Sequence, residues 1–234
     1  DWLQLTSKSE CGEQHSRQPP DSGRGADLGP SPAVSSVKTE RRQWRWSVVT
    51  VNVTAWSTLL HELGERKFDG VDAILIQEHR LEARQFNGAR AAAAKLGWKL
   101  DMSPCTQGPM GGPSGGVGVL VRQQYGLRRL CIDAEEVQVP HNARMGFWCT
   151  SGGGPSGCML VPVYLCTGKE DSLENMQLLY QVGGVLRASG KAYIVGADWQ
   201  MEPCTLHASG WPDSIGGHIK QAERPTCMSR GRES

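Results

Sequence analysis

From residue 47 onward the chain alternates short apolar runs with amphipathic stretches. The runs SVVTVNV (47–53), VDAILIQE (71–78) and KAYIVGADW (191–199) are nearly continuous in apolar residues, which is typical of strands buried on both faces. Shorter runs predict further strands at WKLDMS (98–103), GVGVLVR (116–122), LRRLCID (127–133), RMGFWCT (144–150) and CMLVPVYL (158–165). We expect the last four of these to be antiparallel neighbours joined by short turns.

Apolar residues at helical spacing predict three helices between these strands, at about 56–64, 83–96 and 170–189. The second is rich in Ala and closed by Gly97. The apolar residues of the first helix are Trp56, Leu59, Leu60 and Leu63. Those of the third are Leu173, Met176, Leu179, Tyr180 and Leu186. No clear element is predicted after residue 199. Strands that alternate with helices in this way predict an α/β fold.

The first 43 residues differ in composition from the rest. They are rich in Ser, Pro, Gly and charge and show hardly any apolar periodicity, so they cannot bury enough surface to offset chain entropy. We therefore predict a disordered leader at 1–43 and one folded domain at 44–234, a length that suits a single sizeable core.

Basic and aromatic residues are concentrated where the leader meets the domain. The segment KTERRQWR contains Arg41, Arg42, Trp44 and Arg45, with Trp46 directly after it. Such a segment can contact a nucleic-acid backbone and stack on a base. The commoner alternative is a solvated charged linker that leads into a strand.

Net charge and cysteine usage exclude several classes of protein. Twenty-five Lys and Arg against 24 Asp and Glu give a formal net charge of +1, too small for a purely electrostatic clamp on nucleic acid. No apolar run is long enough to span a membrane, and the first 20 residues lack a signal-peptide pattern, so we expect a soluble intracellular protein, nuclear or cytoplasmic. The eight cysteines form no CxxC pair, which favours reduced, mostly buried thiols over disulfides or zinc.

Polar side chains stand at the ends of three otherwise apolar strands. Asn52 interrupts a run of Val, Glu78 closes VDAILIQE, and Asp198 closes KAYIVGAD. Burying a polar group without a partner costs about 2–7 kcal/mol, so these side chains need partners. Ligands bind beyond the carboxyl ends of strands in open α/β sheets. Taken one at a time, such residues are more often helix caps or loop hydrogen-bond acceptors.

Together with their neighbours these residues resemble the endonuclease/exonuclease/phosphatase superfamily, which includes DNase I, apurinic endonucleases, inositol polyphosphate phosphatases and the endonucleases of non-LTR retroelements. VTVNVTAW is similar to the family's first strand with its Asn, and DAILIQEHRL to the strand that ends in a metal-binding Glu. The family's "GG-apolar" strand is similar to SGGVGVLVR, and its strand with an active-site Tyr is similar to VPVYL. Its "GDxN" turn is similar to IVGADWQ. The resemblance covers about residues 46–228.

The resemblance implies a two-sheet, four-layer α/β sandwich of the DNase I-like kind and metal-assisted hydrolysis of a phosphate ester. Glu78 would bind Mg²⁺ or Mn²⁺, with Asn52 nearby in the metal's shell. Asp198 would orient or deprotonate the attacking water. Tyr164 would donate a hydrogen bond to a phosphate oxygen, and Gln200 would contact the phosphate or the metal.

The sequence departs from the family pattern in two places. Gln200 replaces the Asn of the GDxN turn and extends that amide by one methylene. The chain stops at Ser234, before the strands that carry the family's "DY" and "SDH" segments, and no histidine of this sequence takes the catalytic place. We therefore expect a domain that lacks its last strands, from a truncated or degenerate copy of a retroelement-derived reading frame, with impaired hydrolysis.

Three hypotheses follow. The first is a Mg²⁺-dependent phosphodiesterase that acts on DNA, for which Arg41, Arg42, Trp44 and Arg45 are the grounds, with a small phosphate ester as the alternative substrate. The second is a non-catalytic remnant that serves as a binding module. The third is an unrelated α/β domain, in which Glu78 and Asp198 would lie far apart.

Overall fold

The computed structural model describes residues 3–6, 46–108, 111–130, 143–166 and 172–220. The strands are β1 (Leu3–Thr6), β2 (Ser47–Asn52), β3 (Ala73–Gln77), β4 (Trp98–Met102), β5 (Thr106–Gln107), β6 (Pro113–Ser114), β7 (Val117–Arg122), β8 (Leu127–Arg129), β9 (Trp148–Thr150), β10 (Cys158–Tyr164) and β11 (Tyr193–Asp198). The helices are α1 (Trp56–Gly64), α2 (Phe86–Lys95), α3 (Leu173–Ser189), α4 (Pro203–Ala208) and α5 (Trp211–Ser214), and a 3-10 turn at Ala83–Gln85 precedes α2.

The first sheet has the strand order β1-β2-β3-β7-β4. Strands β2 and β3 are parallel, and α1 forms the crossover between them, as a parallel pair requires. Strand β7 is antiparallel to both β3 and β4. The edge strand β1 lies within the predicted leader, where the sequence pattern gives no sign of it, and pairs antiparallel with β2.

The second sheet has the order β11-β10-β9-β8. Strands β8, β9 and β10 are antiparallel neighbours, as the sequence predicts, and α3 connects the parallel pair β10 and β11. The prediction that β7 belongs to this antiparallel group is wrong, because β7 pairs within the first sheet. The residues of β7 are almost all apolar, so they could be buried in either sheet. The sequence pattern of the strand therefore does not determine which strand it pairs with.

The two sheets pack face to face and helices cover their outer faces. The layer between the sheets is apolar, with contributions from β2, β3, β7, β9, β10 and β11. Helices α1 and α2 cover the outer face of the first sheet, and α3 and α5 cover that of the second. This arrangement confirms the predicted four-layer α/β sandwich.

The segment after residue 199, for which no element is predicted, contains α4 and α5. The buried Trp211 holds α5 against α3, because its indole N–H donates a hydrogen bond of 2.6 Å to the Leu179 carbonyl. These helices are six and four residues long, too short for a helical period to be read from sequence. Among the described helices, none combines the length and apolar character needed to cross a membrane.

The described cysteines are all free thiols, as predicted. Only Cys158 is fully buried, and burial raises the pKa of its thiol to about 12. Cys204 is exposed and the other three described cysteines are half-buried, so the expectation that most are buried is wrong for this part of the chain.

Asp101 on β4 joins the sheets at the edge away from β1. Its carboxylate accepts hydrogen bonds from Trp148 Nε1 on β9 (2.7 Å), Arg90 Nη2 on α2 (2.6 Å) and Arg129 Nε on β8 (3.2 Å). Burial acts to raise the pKa of Asp101, but the hydrogen bonds from Trp148 and Arg90 and the charge of Arg129 outweigh it, so the pKa lies below its ordinary value. Asp101 is therefore ionised in the folded protein.

We expect Asp101→Asn to lower the free energy of unfolding by about 1–3 kcal/mol near neutral pH, because two arginines lose a charged partner. The folded-state pKa lies below the ordinary 3.8, so this stabilisation is present above pH 3.8 and is lost as the pH falls through the lower folded-state value. Urea unfolding at several pH values should show the gap between wild type and variant closing on acidification.

Asp69→Asn is the matched control, since Asp69 forms an ion pair with Arg66 in which both side chains are exposed. It should change the free energy of unfolding by less than about 0.5 kcal/mol. Equal losses in the two variants, or a gap that persists at acid pH, would show that Asp101 does not stabilise the sandwich as a charged group.

Candidate active site

At one end of the layer between the sheets, the apolar rows of four strands finish in polar side chains. The rows end at Asn52 on β2, Gln77 on β3, Tyr164 on β10 and Asp198 on β11. Asn52 pairs in register with Gln77, and Tyr164 with Asp198, each within a parallel strand pair. Both pairs face the layer between the sheets, because each residue is in phase with an apolar residue of its own strand that lies in that layer. These apolar residues are Val48, Leu75, Leu160 and Ile194.

Asn52 and Asp198 meet across the sandwich. The Asn52 Nδ2 donates a hydrogen bond of 2.7 Å to the Asp198 Oδ2, although the two residues are 146 positions apart. The Asn52 Oδ1 accepts a hydrogen bond of 3.2 Å from the Thr54 backbone N–H, which fixes the amide orientation. The structure therefore brings together two of the three polar strand ends that the sequence singles out.

Gln77 lies beneath this pair and is a site residue that the sequence analysis misses. Its side chain is 1% exposed, and its Nε2 donates to the Gly196 carbonyl (3.1 Å) on the opposite sheet and to the Thr50 Oγ1 (3.0 Å) on its own. It thus ties the residue before Glu78 to the strand that carries Asp198. Gln77 is in phase with Ala73 and Leu75, which both face the inter-sheet layer, but β3 is apolar and buried at all its other positions, so its sequence does not distinguish the two faces.

The close approach of the sheets explains the glycine in β11. A Cβ added at Gly196 would lie 2.8 Å from the Thr50 Oγ1 and 3.0 Å from the Leu75 Cδ2. Only a residue without a side chain lets β11 come close enough for the Gln77 hydrogen bond. Gly196 therefore helps to set the distance between Asp198 and the first sheet.

Glu78 lies one residue beyond β3, in the left-handed region with φ 59°. Its carboxylate Oε1 accepts from the Arg80 Nη2 at 3.1 Å, and its side chain is 13% exposed. The neighbouring strand β2 ends at Asn52, the register partner of Gln77. The third polar strand end thus occupies the same end of the sandwich as the Asn52–Asp198 pair.

His79 is a structural residue, although it follows Glu78 directly. It is buried, its Nδ1 accepts from the Leu81 N–H (3.0 Å), and its Nε2 therefore carries the hydrogen that is donated to the Ser103 carbonyl (3.0 Å). Burial lowers the pKa of His79 to about 4. Both ring nitrogens are occupied and the ring is neutral, so His79 is no general base. His61, His207 and His218 are exposed.

Tyr164 and Gln200 lie on the Asp198 side of the site. Tyr164 is buried beside Asp198 on the neighbouring strand, and the Arg144 guanidinium carbon lies 5.5 Å from the centre of its ring. Gln200 is half-buried, two residues past the end of β11, with φ 49°. Its side chain makes no hydrogen bond with the described part of the chain.

The proposed nucleic-acid contacts Arg41, Arg42, Trp44 and Arg45 lie outside the described residues. Trp46, which follows them, is 7% exposed and packs edge-on against Tyr125 with ring centres 6.1 Å apart. Trp46 is a core residue, and the idea that it stacks on a base is wrong.

The donor set at this end of the sandwich suits a hard divalent cation. Glu78 and Asp198 supply carboxylate oxygens and Asn52 an amide, and Mg²⁺ is commonly held by one or two carboxylates, with water and substrate phosphate completing its shell. Within the described ranges, no group of three or more His, Cys, Asp or Glu side chains is placed so that it could hold a metal ion.

No protein-family model matches the chain, and no curated protein matches it. Among solved structures it is similar to ANGEL2, a 2′,3′-cyclic phosphatase, in complex with adenosine-2′,3′-vanadate (12% identity, 72% of this chain, 57% of that chain, TM-score 0.49). It is also similar to the AP endonuclease LMAP from Leishmania major, with 16% identity over 65% of this chain and 54% of that chain and a TM-score of 0.46. A third similar structure is the Xenopus laevis APE2 catalytic domain, with 10% identity over 72% of this chain and 66% of that chain and a TM-score of 0.47. The chain thus spans less than two thirds of each of these structures.

Proposed function

We propose that the protein is a divalent-metal-dependent phosphodiesterase of the endonuclease/exonuclease/phosphatase superfamily. The observation that carries the proposal is the hydrogen bond of 2.7 Å between Asn52 and Asp198, which joins the carboxyl ends of β2 and β11 across the two sheets. Glu78 stands at the end of the strand beside Asn52. One amide and two acids remote in sequence thus share one end of the sandwich, as the motif resemblance requires.

Asp198 acts on the attacking water in this proposal. Its carboxylate receives one hydrogen bond, from Asn52 to Oδ2, and makes no other with the described residues, so Oδ1 is available to accept a proton from a bound water. A general base must lie within hydrogen-bond reach of the proton it removes and must be held in place. Asn52 provides that hold from the opposite sheet, and Gln77 and Gly196 set the spacing beneath it.

Glu78 would hold the metal, with Asn52 beside it. When bound, Mg²⁺ or Mn²⁺ supplies positive charge that offsets the charge developing on the phosphate oxygens. The Tyr164 hydroxyl would donate a hydrogen bond to a phosphate oxygen, and the Gln200 amide would contact the phosphate. The chain itself thus supplies orientation, proton acceptance and hydrogen-bond donors.

DNA is the proposed substrate. In the sequence, the basic and aromatic segment with Arg41, Arg42, Trp44 and Arg45 precedes β2, the strand that carries Asn52. Guanidinium groups and an indole ring suit a phosphate backbone with exposed bases.

Nicking of supercoiled plasmid DNA by the purified chain tests the proposal. We expect nicked circles to accumulate with Mg²⁺ or Mn²⁺, to stop forming when the metal is removed with EDTA, and to form again when the metal is restored. Hydrolysis that continues in EDTA would contradict the metal requirement. A chain that is inert towards DNA but hydrolyses a small phosphate ester would overturn the substrate, and a chain inert towards both would overturn the activity.

A further inference from the structure

We propose that Arg80 is an internal cation for Glu78: it occupies the carboxylate while no divalent ion is bound, and a bound ion displaces it so that it can contact a phosphate oxygen of the substrate. The proposal rests on the proposed function, because it assigns a role at the same site. It gives the site a positively charged phosphate ligand that the motif resemblance does not assign.

The contact between the two residues is direct and lies at the site. The Arg80 Nη2 is 3.1 Å from the Glu78 Oε1, and no other hydrogen bond of the Arg80 side chain is made within the described residues. The Glu78 side chain is 13% exposed and the Arg80 side chain 44% exposed. The carboxylate is thus held in place and mostly buried, while the guanidinium has room to leave it.

The backbone that presents the pair is firmly anchored. The His79 N–H donates to the Gly116 carbonyl (3.3 Å), the Arg80 N–H to the Gly115 carbonyl (3.0 Å), and the buried His79 ring bonds on both nitrogens. Glu78 and Arg80 are both in the left-handed region, with φ 59° and 57°, which is unfavourable for residues other than glycine. Such strain persists only where the surrounding structure enforces it, and it is common at functional sites.

The same segment contains a second acid–arginine pair with the same spacing, which offers an internal comparison. The Arg84 Nε lies 2.8 Å from the Glu82 Oε2, but these side chains are 79% and 51% exposed, at the start of the 3-10 turn before α2. This pair lies four residues further along and none of the polar strand ends contacts it in the described structure. Arg84 is therefore a matched control for removal of Arg80.

Competition between two cations for one carboxylate has a definite consequence. A bound guanidinium must be displaced before a divalent ion can use the same oxygen, so it lowers the apparent metal affinity. The displaced guanidinium is then beside the metal, where the substrate phosphate binds, and its planar donors match phosphate oxygens. Metal binding should therefore increase phosphate affinity through Arg80 in addition to the metal's own charge.

Calorimetric titration of the full chain with Mn²⁺, and then with inorganic phosphate at saturating Mn²⁺, tests the proposal. We expect Arg80→Ala to bind Mn²⁺ about three- to tenfold more tightly than wild type, while Arg80→Lys and Arg84→Ala stay within about twofold. We expect phosphate affinity in Mn²⁺ to fall about three- to tenfold in Arg80→Ala, and to be unchanged in Arg84→Ala.

The outcomes separate this inference from the proposed function. If wild type binds Mn²⁺ and Arg80→Ala binds it equally or less tightly, Arg80 is no competitor and the inference fails while the metal site stands. An equal effect of Arg84→Ala would also overturn it, because general surface charge would then explain the change. If neither wild type nor Arg80→Ala binds Mn²⁺, both the inference and the proposed function fail.

Discussion

Asp198→Asn is expected to lower the rate of phosphodiester hydrolysis by about 10²–10⁴-fold, the range that a positioned general base contributes. The amide oxygen of the new side chain can still accept the hydrogen bond from Asn52, so the two sheets stay joined at this point. Proton acceptance is lost while the fold is kept. The measurement is the nicking rate at saturating Mg²⁺, with thermal unfolding as the check on folding.

Asp213→Asn is the control for this change, since Asp213 is an exposed aspartate on α5. It should leave the nicking rate within about twofold of wild type. A rate for Asp198→Asn close to that of wild type, in a protein that melts normally, would show that Asp198 is not the base.

Glu78→Gln is expected to weaken Mn²⁺ binding by about 100-fold or more and to remove activity at ordinary metal concentrations. Mutation of a residue that only hydrogen-bonds to a metal ligand typically lowers metal affinity by about 10–100-fold. Removing the charge of a carboxylate that itself binds the metal should lower the affinity by at least as much. The substitution keeps the size of the side chain and removes its charge. Calorimetric titration with Mn²⁺ measures the loss without depending on turnover.

Glu82→Gln is the matched control, because Glu82 is a half-exposed acid four residues away that pairs only with Arg84 and local backbone in the described structure. Its Mn²⁺ affinity should equal that of wild type. If Glu78→Gln binds Mn²⁺ as tightly as Glu82→Gln, the metal is held elsewhere and the proposed site is wrong.

The sequence identifies the strands, and singles out the acids of the candidate site, because both leave local signals. Nearly continuous apolar runs predict β2, β3 and β11 as strands buried on both faces. This is right for β3 and most of β2, but β11 is the edge strand of its sheet and is mostly half-buried. Against such runs, Asn52 and Asp198 stand out as polar groups that need a partner. The structure shows that each is the other's partner, a contact between two strands of different sheets.

The parts that the sequence does not reveal depend on contacts between distant segments. From the sequence, Gln77 resembles a surface residue at a strand end. The structure shows that it is buried and that its Nε2 donates a hydrogen bond to the Gly196 carbonyl on the other sheet. Strand β7 could join either sheet on its pattern alone. Trp46 resembles a base-stacking residue because of the arginines before it, yet the pocket formed with Tyr125 and the 152–153 backbone buries it.

Paramagnetic broadening by Mn²⁺ tests the central claim most directly, namely that residues 52, 78 and 198 share one divalent-ion site. In ¹⁵N-labelled protein with substoichiometric Mn²⁺, we expect the amide signals of Asn52, Glu78 and Asp198 to disappear together. The amide signals of Gly97 and Gly190 should stay sharp. These glycines precede β4 and β11, whose first residues lie at the other end of the sandwich. Broadening that spares any one of the three, or that centres on another part of the chain, would contradict the account.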